Sequence, residues 1–157
     1  MPFRLFHDYF PAVAERETRS ITVTPQSDSG LPVGSYGFLE MFCDEPGCDC
    51  RRVFFLVMAS FRREEQAVVA WGWESVAFYA KWYKYGDRED AKLLQGPVLN
   101  MGSPQTELSD AILDLARDVL LKDVAYVERV KEHYRMFRER VEGRGSHRFL
   151  KKRRRLR

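Results

Sequence analysis

Nowhere in these 157 residues do eighteen apolar side chains follow one another, so no segment has the composition of a membrane-spanning helix. The opening Met1-Pro2-Phe3-Arg4-Leu5-Phe6-His7-Asp8 also lacks the basic start and continuous apolar run of a secretory signal. The expected location is therefore intracellular: cytoplasmic, or nuclear in a nucleated cell. Cysteine is scarce, with three in the whole chain. An odd number cannot all pair within one chain, and a bridge between Cys48 and Cys50 would close a very small, strained ring. Reduced thiols or metal-bound thiolates fit better, and the want of a fourth cysteine disfavours an iron–sulfur cluster. Three catalytic signatures are also missing: a glycine loop to cradle phosphate, a nucleophile elbow and H-E-x-x-H. The expectation is a protein that is not an enzyme, with a zinc-dependent hydrolase as the remaining catalytic alternative.

What is present is concentrated. All three cysteines fall in Cys43-Asp44-Glu45-Pro46-Gly47-Cys48-Asp49-Cys50, a C-x4-C-x-C spacing. Zinc prefers thiolate and imidazole in a tetrahedron, and a turn between antiparallel strands can bring several sulfurs onto one ion. The expected ligands are Cys43, Cys48, Cys50 and His133, a structural Cys3His zinc site. His133 ranks first among fourth donors because it interrupts an apolar helical stripe, where an imidazole needs partners for its nitrogens. His7, His147, Asp44 and Asp49 are the alternatives. A site closed by four protein ligands is structural, whereas one that keeps a water is potentially catalytic.

The apolar fraction of 45% suits one domain able to bury a core without disulfides. The net charge of +3 is unevenly spread, because eight cations and no acids follow Gly143, leaving about −5 on residues 1 to 143. The organisation expected is a single α+β domain over 1–143 and a basic, disordered tail over 144–157. Within that tail Lys151, Lys152, Arg153, Arg154, Arg155 and Arg157 could hold the phosphates of nucleic acid or another polyanion. The second functional reading is accordingly a nucleic-acid-associated protein.

Periodicity places strands at Arg19 to Thr24, Tyr36 to Phe42, Arg52 to Phe61 and Gln66 to Trp73. The cysteines then occupy a hairpin tip of zinc-knuckle-like ligand chemistry. Helical spacing follows from Ser75 to about Gly86, from Arg88 to Leu94, and after a cap at Ser103 or Ser109. Asp123 caps a last helix running to about Glu142, with Tyr126, Val130, Tyr134, Phe137 and Val141 in one stripe and His133 facing inward on its flank. The predicted fold is a small antiparallel β-meander packed against C-terminal helices, acting in metal-stabilised binding or scaffolding.

Overall fold

The computed structural model describes residues 3–84 and 86–143. It is an α+β structure whose sheet has six strands: β1 (Phe3–Leu5), β2 (Arg19–Val23), β3 (Gly34–Cys43), β4 (Arg52–Ala59), β5 (Ala67–Gly72) and β6 (Val98–Leu99). All pairings are antiparallel, in the order β1-β3-β4-β5-β6. β3 gives one edge to β4 and divides the other, with Phe3 opposite Cys43 at one end and Val23 opposite Gly34 at the other. Between β1 and β2 the chain leaves that edge as α1 (Phe6–Tyr9) and α2 (Pro11–Glu17).

The core follows from strand alternation. Tyr36, Phe38, Glu40 and Phe42 on β3 project to the same side and are buried, so a carboxylate stands among aromatic rings. Val53, Phe55 and Val57 of β4 join the same core, while Phe54, Val68 and Ala70 form a smaller cluster over the opposite face. The central meander and its hairpin are thus as expected. The expected sheet limits of 19 to 73 are too narrow, however, because β1 and β6 extend it on both sides.

The remaining helices are α3 (Val76–Trp82), α4 (Arg88–Gln95), α5 (Ser109–Asp118) and α6 (Val124–Val141). Asp123 caps α6 through the Tyr126 amide at 3.2 Å, and Ser75 caps α3 through the Phe78 amide at 3.1 Å. Ser109 is not a cap. It is the first residue of α5, and its buried hydroxyl donates to Gln105 at 2.8 Å. Along α6, Tyr126, Val130, Tyr134 and Phe137 are buried as the stripe anticipated, and Val141 packs against the same core. Phe42 ties this helix to β3, with ring centroids 5.5 Å from Phe137 and 5.9 Å from Tyr134. No helix among the described residues is long and apolar enough to cross a membrane.

Candidate metal centre

The loop from Cys43 to Arg51 joins β3 to β4, and its shape begins with Pro46-Gly47. Gly47 has φ 78°, and the Cys48 amide donates to the Glu45 carbonyl at 3.2 Å, closing a turn that glycine permits at its third position. Arg51 also has a positive φ, 51°, unusual for a residue with a side chain. Its neighbours hold it there. The Arg51 amide donates to the Tyr134 hydroxyl at 3.1 Å, and its carbonyl accepts from the Tyr79 hydroxyl at 2.8 Å. Its guanidinium pairs with Asp49 at 2.9 Å and Glu74 at 3.4 Å. Strained backbone of this kind persists where the surroundings over-determine it.

Tyr79 reaches the loop only because residue 72 is glycine. A Cβ at Gly72 would lie 2.1 Å from the Tyr79 hydroxyl oxygen. Gly72→Ala should therefore displace Tyr79 and release the Arg51 carbonyl, lowering stability by about 1–3 kcal/mol as overpacking does. Urea unfolding checks this, and an unchanged midpoint contradicts the close approach.

The loop is fastened to α6 along one helix face. Tyr134 donates to Asp49 at 3.3 Å, Arg138 donates to the carbonyls of Cys43 at 2.7 Å and Glu45 at 2.9 Å, and Glu142 accepts the Gly47 amide at 2.5 Å. Their spacing of four residues places all three side chains over the loop. Fastening of the tip to the C-terminal helix, expected of a metal bound through His133, is made here by hydrogen bonds.

Within this frame the three thiols are neighbours. Cys48 is hydrogen-bonded to both Cys43 and Cys50, and each sulfur also accepts the backbone amide two residues on: Glu45 for Cys43, Cys50 for Cys48 and Arg52 for Cys50. Cys43 and Cys50 are buried and Cys48 is half-buried, all three unbridged. Burial holds each thiol above its ordinary pKa, partly opposed by the backbone amides. Among the described residues, no group of three or more His, Cys, Asp or Glu side chains is arranged to hold a metal ion.

The expected fourth donor stands elsewhere. The His133 Nδ1 lies 2.8 Å from Glu40 Oε1 and its Nε2 lies 3.0 Å from Glu17 Oε2, so both nitrogens already face carboxylates. Its ring stacks on Phe6 with centroids 4.3 Å apart, and Tyr126 donates to the second Glu40 oxygen at 3.1 Å. The inward orientation was legible in the helical wheel, but its partners are carboxylates rather than thiols. Sequence reasoning missed Glu40, although a signal existed: it is a charged residue at an inward position of a strand, between Phe38 and Phe42.

The alternatives fare differently. His7 lies with Leu39, Glu40 and Thr18 around a hollow of about 20 Å³, room for about one water. That position is several residues along β3 from the tip. Asp49 directs both oxygens to Arg51, and Asp44 lies 3.7 Å from Arg4. A larger groove of about 540 Å³, between α3 and α4, is lined by Val76, Ala80, Arg88 and others, and neither hollow includes a cysteine. His147 and the cationic Lys151, Lys152, Arg153, Arg154, Arg155 and Arg157 lie outside the described residues. Compared with protein-family models, curated proteins and solved structures, the chain matches none of them.

Proposed function

We propose that Cys43, Cys48 and Cys50 together bind one zinc ion, and that this protein is a metal-stabilised binding or scaffolding module. The observation that carries the reading is the amide on each sulfur. Three thiols on one short loop are linked to one another, and each receives a backbone N–H from two residues further on. Hydrogen bonds of this kind offset the negative charge that a thiolate gains on binding a metal. Zinc displaces thiol protons and holds sulfur at about 2.3 Å, so its binding would draw the three side chains together around the turn. Cys43 ends β3, Cys50 lies in the loop two residues before β4, and Arg138 holds the carbonyls of Cys43 and Glu45 in the backbone near the first thiol.

Elemental analysis of the full-length, reduced protein, purified without added metal, tests this reading. About one zinc per chain is expected, and a content near zero overturns it. Cys48→Ser should lower both the zinc content and the thermal midpoint, since metal-binding energy adds to folding energy.

A further inference from the structure

We propose that Cys48 and Cys43 are a redox pair: hydrogen peroxide oxidises Cys48, and Cys43 then closes a reversible disulfide with it. The inference goes beyond the metal reading and does not require it. Cys48 is the half-buried member of the cluster, whereas Cys43 and Cys50 are each only 5% exposed. The oxidant therefore meets Cys48 first. Its thiol is hydrogen-bonded to both neighbours, so a resolving sulfur is already in contact.

Chain geometry selects between the two neighbours. Cys48 and Cys50 are separated by one residue, and a bridge between them would close a very small, strained ring. Cys43 stands across the Pro46-Gly47 turn, which the Cys48 amide closes on the Glu45 carbonyl at 3.2 Å. Among the described residues, nothing lies within 4 Å of where a Gly47 side chain would project, so the turn has room to adjust as the sulfurs approach. Arg138 meanwhile holds the carbonyls of Cys43 and Glu45, which keeps the resolving residue in place at the end of β3.

The chemistry balances with hydrogen peroxide as the oxidant. The Cys48 thiolate attacks one peroxide oxygen: an S–O bond forms, the O–O bond breaks, and the departing hydroxide takes up the thiol proton as water. Cys43 then attacks the sulfenic sulfur. The S–S bond forms, the S–O bond breaks, and the second hydroxide leaves with the Cys43 proton as water. The two thiols together lose two electrons and two protons, and a reducing dithiol reverses the change. Burial keeps both thiols largely protonated, so contact between the sulfurs rather than thiolate content favours the second step. Where the loop carries zinc, the disulfide would remove two of the three proposed thiolate ligands and release the ion.

Hydrogen peroxide added to the reduced full-length chain as purified tests the pair. The intact mass should fall by about 2 Da, the two thiol hydrogens, and a reducing dithiol should restore it. A protease that cuts before aspartate puts the three cysteines on separate peptides, because Asp44 and Asp49 fall between them. The Cys43 and Cys48 peptides should emerge linked, with Cys50 free. Cys48→Ser should abolish the bridge, and Cys43→Ser should instead accumulate a Cys48 sulfenic acid that dimedone captures. An unchanged mass in the parent, a Cys48–Cys50 product, or a bridge that persists in Cys48→Ser overturns the pair. Zinc content before oxidation is a separate readout. Zinc near zero with the disulfide formed overturns the metal site alone, and bound zinc with no disulfide overturns the redox pair alone.

Discussion

Glu40→Ala should lower the unfolding free energy by about 3–5 kcal/mol, the cost of taking one partner from a buried charged pair. Glu40 and His133 are 6% and 2% exposed, and they meet at 2.8 Å in the middle of the core face. The other Glu40 oxygen accepts from Tyr126, itself buried. Truncation leaves a hydroxyl and an imidazole nitrogen without a partner, and each such group costs about 1–3 kcal/mol. The double variant Glu40→Leu with His133→Leu should be less damaging than Glu40→Ala alone, because polar groups removed together leave fewer unsatisfied remnants. Urea titration measures both, and a Glu40→Ala stability within about 0.5 kcal/mol of the parent contradicts the network's role.

The same network makes stability depend on pH. Burial pushes the His133 pKa down, but hydrogen bonds and charge from Glu40 and Glu17 outweigh it, so the folded value lies above the ordinary 6.5. The groups around it are Glu40 on β3, Glu17 on α2 with Arg129 4.0 Å from that carboxylate, and Glu132 and Tyr126 on α6. A raised folded value means that protonated His133 stabilises the fold fully below 6.5. The contribution is lost as pH rises through the higher folded value. Stability of the parent should therefore decline as pH increases from about 6.5, and His133→Gln should flatten that decline.

With zinc on the three thiolates as proposed, Arg138→Ala should weaken its binding by roughly 10–100-fold, the effect of removing a group that would orient a ligand from outside the coordination shell. The guanidinium is only 12% exposed and bridges the Cys43 and Glu45 carbonyls to Glu142. Charge-assisted hydrogen bonds contribute about 1.5–3 kcal/mol each, and here two of them set the direction of the loop that carries the thiols. Lysine should not restore it, because a single ammonium cannot reproduce the planar fork that spans three oxygens. Competition with a chromophoric chelator measures the change. Parental affinity in the alanine variant would show that the loop holds its shape without α6.

Much of the scaffold is legible in the sequence. Tyr36, Phe38 and Phe42 alternate, Ile112, Leu115 and Ala116 recur at helical spacing, and Asp123 precedes a long stripe. The flanking pieces were not readable for a physical reason. β6 has two residues, β1 has three and α1 has four, too few to display a period, and they exist because the sheet edge and the core beside them accept them. Val119 stands at helical spacing from Leu115 and Ala116, yet it is 44% exposed because α5 ends one residue earlier and the chain turns through Leu120 to Lys122.

Local covalent geometry dictates which residues of one strand or helix share a face, so the inward position of His133 and the placing of the cysteines on a hairpin could be read directly. The partner of each inward polar group depends on which faces meet. Glu40 and His133 are 93 positions apart, and Cys43 and Arg138 are 95 apart. No periodicity spans such separations. Packing α6 across β3 put the imidazole between two carboxylates, and the same packing carried the end of that helix to the backbone of the loop that bears the three thiols.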